Sequence, residues 1–124
     1  MKETRKTAQN FQELIVWQKA HQFVLKVYTL TKEFPQAEIF GLTPQLRRPA
    51  VSVAANSADG FKRKGAREKA RYFNIAQASL EESRYYLLLS NDLGYCGSSD
   101  AMSGVHEVSK LLQAYSGRIS NSQS

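Results

Sequence analysis

Apolar residues recur along this chain at alternating steps of four and three, the rhythm of a helix with one buried face. Val16, Ala20, Phe23, Val27, Leu30 and Phe34 form the first such series. A second series, Leu14, Trp17, His21, Val24 and Tyr28, lies beside it. The first helix, predicted over about Phe11 to Phe34, therefore carries an apolar face wider than the ~100° a surface helix needs. One series suffices inside a bundle, so the surplus points to deep burial or to a contact between subunits.

Pro35 ends that helix. Thr43 as N-cap and Pro44 at the first helical position, where its missing N–H costs nothing, open a second helix reaching about Phe61. It is rich in small residues (Ala50, Ser52, Ala54, Ala55, Ser57, Ala58), which let a neighbouring backbone approach. Pro49 removes one of its backbone hydrogen bonds and predicts a kink. The third helix, about Ala66 to Leu93, pairs the series Tyr72, Ile75, Ser79, Tyr86, Leu89, Leu93 with Phe73, Ala76, Leu80, Ser83, Leu87. Gly94 is suited to stop it. Ser99 as N-cap and the run Ala101, Val105, Val108, Leu112, Tyr115, Ile119 predict the fourth.

No segment alternates as a strand does, and the connections are short. The expected fold is all-α, an antiparallel up-down four-helix bundle over residues 11–119. Residues 1–10 read as a flexible N-terminus, and 120–124, which lack apolar anchors, as a disordered tail.

A length of 124 residues supports one core, not two. The longest apolar run, Tyr85 to Leu89, is far too short to span a membrane, and no apolar stretch follows the basic N-terminus as in a signal peptide. Cys96 stands alone, which excludes an internal disulfide and, by itself, a zinc site. These features together imply a cytoplasmic protein.

Candidate chemistry is sparse. A di-iron bundle needs Glu-x-x-His pairs, but Gln18 and Ser103 stand three residues before His21 and His106. There is no Gly-x-Ser-x-Gly, no phosphate-cradling glycine loop and no zinc spacing. Cys96 reads as a small residue at a helix end and His21 as a hydrogen-bonded core histidine. A non-enzymatic protein without metal or cofactor is expected. Ser52, Asn56 and Asp59 form one polar stripe on an otherwise buried helix, read as a structural network in which Asp59 accepts from backbone N–H groups or from an arginine such as Arg47 or Arg48. The alternative is a binding or catalytic carboxylate.

Charge changes the picture most. The chain carries a net +6, and the segment from Arg47 to Arg71 carries all of it. There Arg47, Arg48, Lys62, Arg63, Lys64, Arg67, Lys69 and Arg71 face only Asp59 and Glu68, while the remaining residues balance. A neutral body with one cationic segment is the pattern of a polyanion-binding surface. A solvated helix face is the competing explanation. Against it, Lys64, Arg67 and Lys69 oppose the helix dipole at the start of the third helix. Arg63, Arg67 and Arg71, spaced by four, would project from one helical face. Tyr72 and Phe73 follow directly and either stack on bases or pack in the core.

Several motifs also carry a family likeness: Leu14-x-Val16-Trp17, Phe34-Pro35, Phe40-Gly41-Leu42-Thr43, Gln45-Leu46-Arg47-Arg48, Asn56 with Asp59-Gly60, Ile75-Ala76 and Leu93-Gly94-Tyr95. With the basic stretch between them, the span from about Phe11 to Tyr95 resembles the small four-helix-bundle proteins encoded in intervening sequences of bacterial 23S ribosomal RNA genes. That resemblance implies a basic, non-enzymatic bundle assembling into a homo-oligomeric, pentameric ring. It extends to the accessory variability proteins of diversity-generating retroelements, which bind nucleic acid and a reverse transcriptase. The chain departs from the family pattern at Pro49, where alanine is usual. It departs again at Ser57-Ala58-Asp59-Gly60, where Ile-Ala-Glu-Gly is usual and the acid is one methylene longer.

The expected function is phosphate-mediated binding of RNA or DNA, with Lys62, Arg63, Lys64, Arg67, Lys69 and Arg71 ranked above Arg47 and Arg48. The alternative is an oligomeric adaptor whose basic rim docks an acidic protein, such as a reverse transcriptase. A membrane partner is not expected.

Overall fold

A computed structural model of the chain, which describes residues 7–122, contains four helices: α1 (Ile15–Thr31), α2 (Leu42–Lys62), α3 (Ala66–Asp92) and α4 (Ser99–Ser122). A 3-10 turn at Phe11–Glu13 precedes α1, and another at Gln36–Glu38 lies between α1 and α2. Helix α1 packs against α2 and α4, and α3 against the same two, so consecutive helices are neighbours and the ring of four closes. With connections this short the helices alternate in direction. This is the antiparallel four-helix bundle expected from the apolar rhythm. Among the described residues no helix is long and apolar enough to cross a membrane.

The first apolar series of α1 is the buried one: Val16, Ala20, Phe23 and Val27 are all at most 3% exposed. They meet Leu46 and Val53 of α2, Phe73, Leu80 and Leu87 of α3, and Val105, Val108 and Leu112 of α4 in one core. Of the second series Leu14 joins that core, Trp17 and Val24 are half-buried, and His21 and Tyr28 are exposed. His21 is therefore not a core histidine. Its ring stacks on Trp17 at 5.0 Å, nearly parallel, at the protein surface.

Small residues do bring α2 and α3 together. Gly60 lies on the ring of Phe73, so close that a Cβ there would stand 2.7 Å from Cε2. Three buried hydroxyls are satisfied within their own helices. Ser57, Ser83 and Ser90 each donate to the carbonyl four residues back, at 2.7 to 2.9 Å. Among the described residues no buried side-chain nitrogen or oxygen lacks a partner.

Several helix ends differ from expectation. Helix α1 runs from Ile15 to Thr31 rather than from about Phe11 to Phe34. Phe11–Glu13 forms a separate 3-10 turn, and the chain after Thr31 tightens, the Glu33 and Phe34 N–H groups donating to the Leu30 and Thr31 carbonyls at 3.2 Å. Thr43 is not the N-cap of α2; that position is Gly41, and the cap comes from Glu38, whose Oε1 accepts from the Leu42 N–H at 3.0 Å. Pro44 still falls among the first N–H positions, where no bond is lost. Ser98, not Ser99, precedes α4, since its carbonyl accepts the Met102 N–H at 2.8 Å. Pro49 lies buried inside an uninterrupted α2, and Gln45, whose carbonyl loses its donor there, is exposed to water. Gly94 does stop α3. It adopts φ +78°, with its own N–H bonded to Asn91 O and that of Tyr95 to Ser90 O, both at 3.0 Å, a paired closure of the last turn.

Helix α4 continues to Ser122, past the boundary expected at 119, because no proline or glycine follows Gly117 to end it. Residues 1–6 and 123–124 of the predicted flexible ends lie outside the described residues. At the N-terminal side, the backbone N–H of Gln9 and the amide of Asn10 both donate to the Glu13 carboxylate, at 3.3 and 3.2 Å.

Candidate functional site

The cationic segment occupies the corner where α2 ends and α3 begins. Arg63 is the C-cap of α2 with extended backbone (φ −70°, ψ 146°), and α3 starts only at Ala66 after Gly65. Arg63, Arg67 and Arg71 therefore do not share one helical face, because the backbone turns between the first and the other two. What unites Arg63 with Arg71 is an aromatic ring. The guanidinium carbon of Arg63 lies 4.4 Å from the centre of Tyr72, and that of Arg71 lies 6.0 Å away.

Lys62, Arg63, Lys64, Arg67 and Arg71 are exposed. Four ion pairs join the described residues, and one of them touches the basic segment, Arg71 with Glu68 at 3.9 Å, both well exposed. A pair of that length in water is worth little. Two other acids pair on the opposite edge of the bundle: Glu107 with Lys19 at 3.6 Å and Asp100 with Lys26 at 3.4 Å tie α4 to α1. The fold thus neutralises its far side and leaves this corner positive.

Lys69 is an exception within the run. Its ammonium donates to the carbonyls of Phe61 at 2.7 Å and Gly60 at 3.3 Å, in the last turn of α2, and sits over the Phe61 ring at 5.6 Å. Partial burial lowers its pKa below the usual 10.5. A cation there opposes the dipole of α3, to which it belongs, but complements that of α2. Lys69 is a structural cap rather than a residue held out for a ligand.

Arg47 and Arg48 also separate. Arg47 is half-buried; its Nε donates to Thr31 Oγ1 at 2.8 Å and its guanidinium carbon lies 4.3 Å from the centre of the Tyr28 ring. It joins α2 to α1 and does not meet Asp59. Arg48, the next residue along α2, is exposed. The polar stripe holds only in part. Asn56 donates to the carbonyl and hydroxyl of Ser52, both at 2.9 Å, and Ser52 Oγ meets Ser79 Oγ of α3 at 2.8 Å. Asp59 is exposed, and among the described residues no hydrogen bond or ion pair joins it to this group. The network is Ser52–Asn56–Ser79, in which Ser79 takes the place expected for the acid.

Tyr72 and Phe73 divide as the geometry of α3 requires. Phe73 is fully buried, 4.6 Å from the ring of Tyr115, whereas Tyr72 is half-exposed between the arginines. Beyond them the outer face of α3 forms a shallow depression of about 560 Å3, lined by Arg67, Ala70, Arg71, Asn74, Ile75 and Ala78. The apolar spacing singles out Ile75 as a core position, but it is 39% exposed on this face. Among the described residues no three His, Cys, Asp or Glu side chains converge as a metal site would need. Burial pushes the Cys96 thiol above its usual 9.0, away from the reactive thiolate.

Comparison with known proteins places this architecture. Residues 12–116 match the family described as 23S rRNA-intervening sequence protein. The chain belongs to that family. Members of the 23S rRNA-intervening sequence protein family would share the corner described above only so far as they share its residues. A solved structure with the same fold is that of a protein with unknown function from the S23 ribosomal protein family of Bacteroides thetaiotaomicron VPI-5482. It is 20% identical, with a TM-score of 0.74, over 83% of this chain and 96% of that one. At that identity the likeness concerns the fold. No curated protein matches the chain.

Proposed function

We propose that this protein is a non-enzymatic, basic helical bundle of the cytoplasm that binds RNA or DNA through phosphate contacts from Arg48, Lys62, Arg63, Lys64, Arg67 and Arg71. The observation that carries the reading is the exposed α2–α3 corner, with one long Glu68–Arg71 contact as its ion pairing among the described residues. Unneutralised guanidinium groups gain most from a polyanion whose counterions they release. The family's description makes structured ribosomal RNA the first ligand to try. The test is titration of such an RNA, at low salt, with the wild type and with Arg63→Gln/Arg67→Gln/Arg71→Gln. Unchanged affinity in the triple variant would remove the reading.

Self-association into a pentameric ring belongs to the same proposal. It is supported by apolar side chains left at the surface, Trp17, Val24 and Tyr28 of α1 and Val51 of α2, the last 41% exposed. A ring repeats the basic corner and converts weak contacts into avidity. Mass measurement in solution decides it, and a monomer refutes it.

An adaptor role is favoured by one separate feature. Phe40, in the α1–α2 connection at the end of the bundle away from the basic corner, is 94% exposed. With Ile39 beside it 50% exposed, it offers apolar surface of the kind a protein partner covers. Copurification separates the readings: a nucleic-acid binder carries an elevated 260/280 absorbance ratio that falls in high salt, and an adaptor brings down a protein.

A further inference from the structure

We infer that the α2–α3 corner takes single-stranded nucleic acid, stacking an unpaired base at the Arg63–Tyr72 pair while Arg67 and Arg71 hold the adjoining phosphates. The inference rests on the nucleic-acid reading above and specifies its ligand.

Cations alone do not distinguish strand from duplex, because both present phosphates. The flat and apolar groups among them do. Arg63 lies 4.4 Å from the centre of the Tyr72 ring, and Arg71 flanks the same ring at 6.0 Å. A guanidinium laid on a tyrosine is planar and weakly hydrated, and its outer side is a platform for another flat group. Tyr72 is half-exposed, unlike Phe73, so the platform stands at the surface.

The depression that begins at Arg67 and Arg71 continues over Asn74, Ile75 and Ala78. Asn74 offers both a donor and an acceptor, the pair needed to meet a base edge. Ile75 offers apolar surface that gains only from a group able to leave water. A duplex keeps its base faces stacked inside and meets such a surface with sugar and phosphate. An unpaired strand lays its bases on aromatic and apolar side chains and its phosphates on neighbouring cations. Charge, amide and aliphatic patch line the depression, and Arg71, which borders it, also flanks the Tyr72 ring, so the platform adjoins the depression through that residue.

Anisotropy titration of a short mixed-sequence single strand, the abasic strand of equal phosphate count and the matched duplex tests this. The base-bearing strand should bind about tenfold more tightly than its abasic counterpart. Tyr72→Leu should bring the ratio of base-bearing to abasic affinity to about one, and Tyr72→Phe should preserve the preference. A 2-aminopurine strand should be quenched on binding the wild type and not on binding Tyr72→Leu. Equal affinity for base-bearing and abasic strands overturns the inference while leaving phosphate binding intact, as does a preference that survives Tyr72→Leu or a tighter duplex. Absence of binding to all three ligands overturns the parent reading as well.

Discussion

The ammonium of Lys69 donates a 2.7 Å hydrogen bond to the carbonyl of Phe61, eight residues back across the turn between α2 and α3. The bond closes the last turn of one helix with a side chain from the first turn of the next. Lys69→Gln should therefore lower folding stability by about 1 kcal/mol, through loss of the charge at the α2 terminus and of its hydrogen bonds. Its effect on RNA affinity should be much smaller than that of Arg67→Gln. Denaturant unfolding and anisotropy titration, read together, check the pair.

Arg67 and Arg71 should behave in the opposite way. Replacing either with glutamine leaves stability within about 0.5 kcal/mol, as for other exposed positions. The dependence of log affinity on log salt should become shallower by about one unit for each phosphate that the variant no longer neutralises. A salt series with each variant measures the slope directly.

Arg47→Gln should act on the fold. Its side chain bridges Thr31 at 2.8 Å and covers Tyr28. Loss of a half-buried, charged hydrogen bond and its stacking costs about 1–3 kcal/mol. A midpoint shift in urea, with nucleic-acid affinity retained per folded molecule, is the expected result.

Gly60→Ala should destabilise although alanine is the better helix former by about 1 kcal/mol. The new Cβ would stand 2.7 Å from Phe73 Cε2, and that ring is fully buried beside Tyr115, so it has little room to yield. Overpacking of this kind costs about 1–3 kcal/mol, which outweighs the propensity gain. Thermal unfolding of the variant decides the sign.

Glu38 gives the fold an acid-sensitive joint. Its hydrogen bonds from the Leu42 N–H and, at 2.8 Å, from the Tyr95 hydroxyl hold its carboxyl below the usual 4.5. A group with a lowered folded pKa contributes stability above its unfolded value and loses it as pH falls through the folded one. The stability gap between wild type and Glu38→Gln should therefore be constant above pH 4.5 and close below it. The same contact raises the Tyr95 hydroxyl above 10.0, and a spectroscopic titration of the variant should return it toward that value.

The bundle is legible in the sequence wherever one residue's own chemistry decides the outcome. Gly94 ends α3 because its left-handed backbone suits glycine, and the run from Val16 to Val27 must be buried because nothing else could hide it, whereas α1 stops at Thr31, before Pro35 compels it. Partners that arrive from other elements are not legible. Thr43 is a sound N-cap in isolation, yet Glu38 reaches Leu42 from a 3-10 turn whose position no local pattern announces. Lys69 looks like one cation among six because its acceptors belong to the preceding helix. Asp59 shares a stripe with Ser52 and Asn56, but the hydroxyl of Ser79 on the neighbouring helix meets Ser52 instead. Periodicity assigns Ile75 to the core, because a run of apolar residues at helical spacing does not reveal how wide a face the bundle can cover.

The side of α3 that carries Arg67, Arg71, Asn74 and Ala78 is turned away from Phe73, Ala76 and Leu80, so the exposed positions of this helix and those that hold the molecule together do not overlap. The charge and shape of that outer surface can therefore be rewritten by substitution while the packing that folds the chain stays untouched.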